Sequence, residues 1–533
     1  MKRATLLSLC CILAVSAWAQ TTGTAALDAY MDVLDENSRF MGSMAVSQEG
    51  DVVFERAIGY QDQANDAKAD TDTRYRIGSI SKMFTSVLTL KAVEEGKISL
   101  NTTLEGYFPE LENAEQITVE MMLNHSSGIF SFTSDPTYLS WSASPQSREK
   151  LMERILAQDP SFAPGERHSY SNSNYVLLTW LLEDIHQTSF GELLATKITE
   201  PLALGNTYVG GALDLANHEC YSYTYTGAWQ QDQVTDMSVP LGAGAIISTP
   251  KDLTVFIRAL FEDELISSQH LEMMMDMQDG YGLGMFRYTF GEDYAYGHTG
   301  GIDSFTSFLG YMPERKTAVA ITSNGTRVDN MDLVSAAYTI QDGGEIEIPT
   351  YSTYAVATED LAQYEGVYAS PDVPLKITVF VEDGGLMAQA TGQSSFPLEP
   401  TGEHAFAFDM AGITMEFTPE SGGMVITQGG SPANFKREEA SSEPESSYSV
   451  SLEELEQYEG VYASDEMPLK ITVFIENDML NAQATGQGAF PLTPTGEHTF
   501  AFDMAGITME FSPGSGEMVI TQGGSATNFK LEE

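Results

Sequence analysis

Apolar side chains between residues 79 and 96 recur with the period of an α-helix. They stand three or four positions apart, which places them on one face of a helix and predicts that this face is buried. Glycine follows at position 96, and glycine readily adopts the left-handed conformation that ends many helices. We therefore predict a helix from Ser79 to Glu95. The apolar positions are Ile80, Met83, Phe84, Val87 and Leu88.

Alternating apolar and polar residues on both sides of this helix predict a sheet. Two such segments precede the helix and four lie between residues 285 and 323, each with the period of a strand. Helical patterns occupy residues 25–37, Tyr175–Ile185 and Leu253–Phe261. Two strands, a helical middle and further strands predict an α+β fold, in which helices flank an antiparallel sheet. The predicted strands are Ser43–Ser47, Val52–Tyr60, Met285–Tyr288, Ala295–His298, Phe305–Tyr311 and Thr317–Ser323.

The last third of the chain contains one pattern twice. The pentapeptide Tyr-Glu-Gly-Val-Tyr at 364–368 recurs at 458–462, and the match continues without a gap to Lys436 and Lys530. Each copy has several short alternating segments separated by turn residues, which is typical of a small antiparallel barrel. The acidic stretch between the copies is too polar to be buried. We predict two all-β barrels joined by a linker.

The first residues have the features of a secretory signal. Lys2 and Arg3 precede an apolar core at Leu6–Val15, and a small-residue cleavage pattern follows at residues 17–19. The apolar core is too short to span a bilayer. We therefore expect cleavage after Ala19 and a secreted or periplasmic protein without membrane insertion. The predicted parts are a signal peptide at 1–19, an α+β domain at 25–340, barrels at 358–437 and 452–533, and an acidic linker at 438–451.

The charge of the chain narrows the range of partners. Lys and Arg number 26 against 76 Asp and Glu, a net charge of −50. Such a field repels nucleic acids and anionic lipid surfaces, which are excluded as partners. The eight histidines show no metal-ligand spacing, so neither a metal nor a cofactor is predicted. A small-molecule or peptide substrate is expected, and the oligomeric state is left open.

Ser79 and Lys82 carry the first candidate chemistry. Residues three apart share a face of a helix, so the hydroxyl and the amine can meet. Serine is a weak nucleophile until a base takes its proton, and a buried lysine with a lowered pKa can be that base. The same four-residue spacing occurs at Ser147 and Lys150. That second copy lies in a polar stretch and is interpreted as a surface element.

Two further motifs follow in the chain, Tyr170-Ser171-Asn172 and His298-Thr299-Gly300-Gly301. Together with Ser79 and Lys82 they resemble the three-motif active site of the penicillin-recognising serine hydrolases. The segments 123–129 and 242–249 also resemble this family, so the likeness covers roughly residues 25–340. It implies a β-lactamase/transpeptidase-like fold. Within the family, the D-aminopeptidases also carry two C-terminal β-barrels.

The resemblance implies a role for each matched residue. Ser79 is the expected nucleophile, Lys82 and Tyr170 move protons, and Asn172 orients Lys82 or the substrate amide. The third motif is expected to bind substrate, and the N–H groups of Ser79 and Gly301 to hold the oxyanion. β-Lactamases usually carry lysine in place of His298, and a neutral imidazole offers no full charge to a substrate carboxylate. The expected substrate-binding residues are Asn172, His298, Thr299, Gly300 and Gly301.

Taken together, these features predict a secreted serine hydrolase that forms an acyl-enzyme on amide or ester bonds. The architecture favours a D-amino-acid peptidase of the D-aminopeptidase or D-alanyl-D-alanine carboxypeptidase type. A β-lactamase-like carboxylesterase or a weak β-lactamase is the alternative within the same chemistry. An inactive binding or sensor protein on the same fold is the alternative from another class.

Overall fold

The computed structural model describes residues 23–351, 354–371, 373, 375–382, 384–393, 395–438, 450–464, 470–476, 479–484, 490–502, 506–522 and 525–531. The expected signal peptide at 1–19 and most of the acidic linker at 438–451 lie outside these residues. The chain divides into two compact units, one ending at Tyr351 and the other formed by the remainder.

A six-stranded antiparallel sheet forms the centre of the first unit. Its strands lie in the order β3-β4-β5-β6-β1-β2, and every neighbouring pair is antiparallel. Because β2 and β3 are the two edges, the helical middle of the chain connects one edge of the sheet to the other. The predicted α+β fold is confirmed. The strands are β1 (Phe40–Gln48), β2 (Asp51–Ile58), β3 (Phe286–Phe290), β4 (Asp293–Ile302), β5 (Phe305–Met312) and β6 (Thr317–Thr326).

Helices cover both faces of this sheet. The main helices are α1 (residues 23–36), α2 (Ser81–Glu94), α3 (Val119–Leu123), α4 (Tyr138–Trp141), α5 (Arg148–Leu156), α6 (Asn172–His186), α7 (Phe190–Leu194), α8 (Pro250–Phe261), α9 (Ser268–Met275) and α10 (Asn330–Gln341). None of the helices in the described part of the chain is both long and apolar enough to span a bilayer.

Alternate residues of β6 divide the apolar core of this unit between the two faces of the sheet. Ala318 and Ala320 pack with residues of α2, α6 and α8, whereas Val319 and Ile321 pack with residues of α1 and α10. Successive side chains of a strand point to opposite faces, so a strand covered on both faces can be apolar at consecutive positions, as β6 is from Ala318 to Ile321. The unit therefore has three layers, helices, sheet and helices.

Helix α2 is buried more completely than its apolar stripe predicts. It begins at Ser81 rather than Ser79, which lies in the 3-10 turn Gly78–Ile80 that precedes it. Its hydroxyl side chains are also buried and hydrogen-bonded: the Thr85 hydroxyl donates to Gly242 O at 2.8 Å, and the Ser81 hydroxyl accepts the N–H of Ile246 at 3.1 Å. The apolar periodicity of the sequence does not reveal this second buried face, because the side chains on it are polar. The predicted end is confirmed, because Gly96 has φ +70°.

The first part of the second unit is a closed eight-stranded barrel preceded by a short helix, α11 (Thr358–Leu361). Its first and last strands pair through Tyr368 with Arg437 and Ala369 with Lys436, which closes the ring. Its buried apolar residues all lie between Leu361 and Phe435. The strands are β7 (Gly366–Ala369), β8 (Ile377–Glu382), β9 (Gly385–Ala390), β10 (Phe396–Gly402), β11 (Ala405–Phe408), β12 (Ile413–Thr418), β13 (Gly423–Gln428) and β14 (Ser431–Arg437).

The second copy follows α12 (Leu452–Leu455) and pairs its strands in the same circuit. The circuit is interrupted at Leu492, which separates two short strands where the first barrel has only β10. A partly buried contact recurs in both copies: Tyr364 Oη lies 2.8 Å from His404 Nδ1, and Tyr458 Oη lies 2.7 Å from His498 Nδ1. The predicted all-β architecture is confirmed, and the exact limits 358–437 and 452–533 stay predictions. The strands are β15 (Gly460–Ala463), β16 (Lys470–Glu476), β17 (Met479–Ala484), β18 (Phe490–Pro491), β19 (Thr493–Gly496), β20 (Thr499–Phe502), β21 (Ile507–Ser512), β22 (Glu517–Gln522) and β23 (Ser525–Leu531).

Removing residues 450–533 is expected to leave the rest of the chain folded. The described apolar clusters that precede this segment contain no residue beyond Phe435, so none of them loses a member. Differential scanning calorimetry should show the transition of the first unit within about 2 °C of its position in the full chain. An aggregated product, or a first unit that no longer unfolds cooperatively, would show that the parts depend on one another for folding.

Candidate active site

Ser79 and Lys82 are in contact, as their spacing predicts. Lys82 Nζ lies 3.0 Å from Ser79 Oγ, because one residue is in the 3-10 turn and the other in the first turn of α2. The two side chains differ in exposure. Ser79 is partly exposed and lines a cavity, whereas Lys82 is completely buried behind it.

The amine of Lys82 has two further contacts, both with carbonyl oxygens. Nζ donates to Asn172 Oδ1 and to the backbone oxygen of Ala243, each at 2.7 Å. Burial lowers the pKa of Lys82 well below its ordinary value, since the charged form loses its hydration. A neutral amine has two N–H donors and one lone pair. With both donors used by carbonyl oxygens, the lone pair is left for the Ser79 hydroxyl proton.

Asn172 is held in the orientation that this arrangement requires. Its Nδ2 donates to the Thr133 hydroxyl at 2.8 Å, and its backbone N–H donates to the Ser131 hydroxyl at 3.0 Å. With the amide nitrogen bonded on one side, the amide oxygen faces Lys82. Of the two roles expected for Asn172, the geometry supports orienting Lys82. The residue also lines the cavity.

Tyr170 completes the contacts around the serine. Its hydroxyl forms a hydrogen bond with Ser79, and burial raises the pKa of this hydroxyl far above its ordinary value. The phenol therefore stays protonated, so it can donate a proton but is not available as an anionic base. Its ring centroid lies 4.8 Å from Lys82 Nζ and 4.5 Å from the ring of His125.

His125 fixes the backbone of the second motif. Its Nδ1 accepts the N–H of Ser171 at 3.1 Å, and its backbone oxygen accepts the N–H of Ser169 at 2.9 Å. Burial, with a smaller contribution from Lys82, lowers the pKa of this imidazole, which is therefore neutral. His125 thus holds the segment that presents Tyr170 and Asn172.

His298 lies behind this group of residues and does not line the cavity. It is 2% exposed, and its ring contacts those of Phe286 and Tyr170, with centroids at 4.9 and 6.1 Å. Burial, and then the neighbouring Lys82, lower the pKa of His298 to about 3. Its Nδ1–H donates to the backbone oxygen of Thr299 at 2.5 Å. The imidazole is neutral, as expected from the sequence, but it packs against Tyr170.

The glycines of the third motif let two backbones touch. A Cβ at Gly300 would lie 2.0 Å from the backbone oxygen of Ile77 and 2.2 Å from Ser307 Oγ. Gly78 has φ +51°, and a Cβ there would lie 2.7 Å from Gly301 N. The end of β4 is therefore in direct contact with the turn that carries Ser79. This contact brings the backbone of Gly301 next to the serine, where an oxyanion would form.

A cavity of about 340 Å³ opens over Ser79, and several of its wall residues were not predicted. Thr133, Thr235 and Asp303 were not predicted, because they lie in short connecting segments without a recognisable motif, Thr133 in the 3-10 turn Phe132–Ser134. The one available signal was that Asp303 follows the third motif by two residues. Thr299 is exposed, whereas Gly301 forms part of the wall. Within the described residues, no group of three or more His, Cys, Asp or Glu side chains could hold a metal ion.

The second copy of the serine–lysine spacing is a helix cap. The Ser147 hydroxyl accepts the backbone N–H of Lys150 at 3.3 Å at the start of α5, and both residues are exposed. Its interpretation as a surface element is confirmed.

Comparison with known proteins gives consistent matches. A family model described as Beta-lactamase matches residues 25–342. The chain is 23% identical over 427 residues to penicillin-binding protein 4* of Bacillus subtilis (strain 168), which covers 74% of this chain and 93% of the relative. It is 27% identical over 235 residues to teichoic acid D-alanine hydrolase of Staphylococcus aureus (strain MRSA252), 44% of this chain and 57% of the relative. The solved structure of a D-stereospecific amidohydrolase from Streptomyces sp. has a TM-score of 0.50 at 26% identity, covering 58% of this chain and 98% of the other.

Replacing Gly300 by alanine is expected to destabilise the first unit by about 1–3 kcal/mol, because the new methyl group overlaps a backbone oxygen that cannot move aside freely. Gly301→Ala is the matched control, since a Cβ at that position has nothing within 4 Å. It should change the free energy of unfolding by less than about 0.5 kcal/mol. Chemical denaturation of the two variants measures the difference. Equal effects would contradict the close contact between β4 and the serine turn.

Proposed function

Because the chain belongs to the beta-lactamase family of penicillin-recognising serine hydrolases, we propose that it cleaves D-amino-acid amides or esters through an acyl-enzyme on Ser79. Its general class, a serine hydrolase, follows from the family. The observation that carries the proposal is the position of Lys82. Burial favours the neutral amine of Lys82, and in that form its two donors go to carbonyl oxygens and its lone pair is left for the serine proton.

In the proposed acylation step, Ser79 Oγ attacks the substrate carbonyl carbon as its proton passes to Lys82. The oxyanion that forms is held by the N–H groups of Ser79 and Gly301, and the backbone of Gly301 lies against Gly78, the residue before Ser79. The proton then goes from Lys82 to the leaving nitrogen or oxygen by way of the Tyr170 hydroxyl. Positioned donors of this kind lower the barrier because they stabilise charge that develops only in the transition state.

Deacylation repeats these transfers with water as the nucleophile. Water gives a proton to the same basic group, the resulting hydroxide attacks the acyl carbon, and Ser79 takes the proton back as it leaves. No step in this scheme requires a cofactor or a metal, because each proton passes between Ser79, Lys82, Tyr170, water and the leaving group.

The names of the relatives support D-amino-acid derivatives as substrates. One is a teichoic acid D-alanine hydrolase and another a D-stereospecific amidohydrolase. Between the two predicted peptidase types, the structure favours the D-aminopeptidase type. A D-alanyl-D-alanine carboxypeptidase acts beside a free carboxylate, and His298 is both neutral and buried here. Simple esters suit the same chemistry, and penicillins, which carry a carboxylate, should react poorly.

We also propose that residues 1–19 export the protein, so that it meets its substrates outside the cytoplasm. An inactive binding or sensor protein is not supported. A protein that only bound ligand would not need to bury a neutral amine against a serine hydroxyl. The most direct test of the substrate class is a hydrolysis panel of D-aminoacyl amides, simple esters and a penicillin, assayed with the purified mature protein.

Ser79→Ala should reduce turnover of every substrate in that panel by about 10⁴-fold or more, the scale on which removal of a covalent nucleophile acts. Ser147→Ala is the matched control. Loss of this helix cap should lower the free energy of unfolding by about 0.5–2 kcal/mol and leave kcat/KM unchanged. Full activity of purified Ser79→Ala would remove Ser79 from the mechanism.

The pH profile of kcat/KM should follow Lys82. The amine must be neutral to accept a proton, so the rate should rise with pH through its lowered pKa and reach a plateau below pH 10.5. Lys82 also affects stability. As the pH falls below 10.5, the unfolded chain binds a proton that native Lys82 resists. The contribution of Lys82 to the free energy of unfolding therefore decreases as the pH falls, until the pH is below the pKa of Lys82 in the native protein.

His298 should cause no change of slope in the pH profile of kcat/KM between pH 5 and 8, because its pKa is about 3. The measurement is kcat/KM for a neutral ester from pH 4 to 10, in the wild type and in His298→Gln. A limb near pH ~6.5 that disappears in the variant would show that the histidine controls the activity.

A further inference from the structure

The cavity over Ser79 has one charged side chain in its wall. Among the described residues that line it, Asp303 is the only Asp, Glu, Lys, Arg or His. Lys82 lies beneath the serine with no exposed surface, and His298 is neutral. A negatively charged substrate group in this cavity would therefore meet a carboxylate and no compensating cation.

Asp303 is held rigidly, yet one of its oxygens keeps the capacity to accept hydrogen bonds. Oδ1 accepts the Thr235 hydroxyl at 2.6 Å and the Thr235 N–H at 3.1 Å. Oδ2 has only two long contacts, both at 3.3 Å, with Arg76 Nη1 and the Thr235 N–H. A carboxylate has about four acceptor positions on its two oxygens. A further donor can therefore bind Oδ2 without displacing Thr235.

The pairing with Arg76 does not neutralise this region. Asp303 also interacts with Asp232, and Arg76 also interacts with Glu219. In this set of interactions, the carboxylates of Asp303, Asp232 and Glu219 therefore outnumber the guanidinium group of Arg76. The region keeps an excess of negative charge, which attracts a cation from solvent.

The structure offers a second explanation, in which Asp303 only ties the turn after β4 to Arg76. That role accounts for the bond to Arg76, whose side chain is 3% exposed. It does not account for the place of Asp303, whose side chain is 6% exposed, among the residues that line the cavity. It also leaves Oδ2 with weaker contacts than Oδ1.

We propose that Asp303 binds the free ammonium group of the substrate's acyl portion, and so selects unblocked aminoacyl donors. This inference rests on the proposed function and names the substrate class more closely. A compact ammonium with three donors suits the free capacity of Oδ2, and the hydroxyls of Thr133 and Thr235 lie in the same wall. The shared chemistry is an aminoacyl group with a free amine, either at a peptide terminus or esterified to an alcohol.

The test compares substrates that differ only in this charge. D-alanine p-nitroanilide carries the ammonium, and isobutyryl p-nitroanilide has a methyl group in its place. D-alanine methyl ester and methyl isobutyrate form the second arm. Comparison of the two arms shows whether the aminoacyl group is recognised as an amide, as at a peptide terminus, or as an ester. We expect the wild type to prefer the ammonium substrate in at least one arm. Asp303→Asn should reduce this preference about 10–100-fold, the scale of a hydrogen bond to a charged group.

Two features of the design separate an effect of the charge from an effect on the structure. Asp303 has φ +51°, and asparagine tolerates this left-handed conformation as well as aspartate does, so the variant should keep the turn. Asp232→Asn is the matched control, because it removes an equal charge from a residue that does not line the cavity. It should change the preference less than threefold.

Each outcome bears on one of the two proposals. A preference lost in Asp303→Asn and kept in Asp232→Asn supports the inference. Equal losses on both substrates of a pair would assign Asp303 to structure alone and overturn it. If Asp303→Asn fails to fold, the wild-type protein alone still tests the inference. A preference for the ammonium substrate of less than twofold in both arms overturns it. Hydrolysis of neither member of any pair by the wild type would instead overturn the proposed function.

Discussion

The burial of the Lys82 amine among three oxygen atoms is the constraint on which the active site depends. A lysine without hydration is stable there only when it is neutral, since a buried charge needs a partner of opposite sign. Its oxygen partners belong to a hydroxyl, an amide and a backbone carbonyl, and none is a carboxylate. A carboxylate at position 172 would attract a proton to the amine and remove the base. A chain with 76 acidic residues thus presents an uncharged amide at this position.

Much of the first unit serves to keep these atoms in place. Four segments far apart in the chain meet at the site: the serine turn, the second motif, the glycine-rich stretch at 242–244 and the end of β4. The His125 ring accepts the N–H of Ser171, and the backbone of Gly300 lies directly against the backbone oxygen of Ile77. The contact between Gly300 and Ile77 leaves little room for adjustment, because no flexible side chain lies between the two backbones. The positions of the proposed catalytic groups therefore follow from the packing of the whole layer.

The sequence was informative where chemistry depends on local spacing and less so where it depends on tertiary approach. The contact of Ser79 with Lys82, the order of helices and strands, and the two all-β parts could be predicted from periodicity and repetition. The carbonyl of Ala243 could not, because every residue has one and only the fold brings this one to Lys82. Asp303 lies in a turn with no motif, so its place in the cavity wall depends on how β4 meets the loop at Thr235. The burial of His298 likewise depends on the aromatic rings packed around it.

The complete burial of Lys82 also affects how the enzyme exchanges protons with its surroundings. Lys82 has no exposed surface, whereas Ser79 in front of it lines the cavity. In the proposed acylation step, a substrate seated in the cavity therefore separates the amine from bulk solvent. The proton taken from Ser79 is then passed to the leaving group within the enzyme–substrate complex, and we expect buffer acids and bases to contribute little to this step.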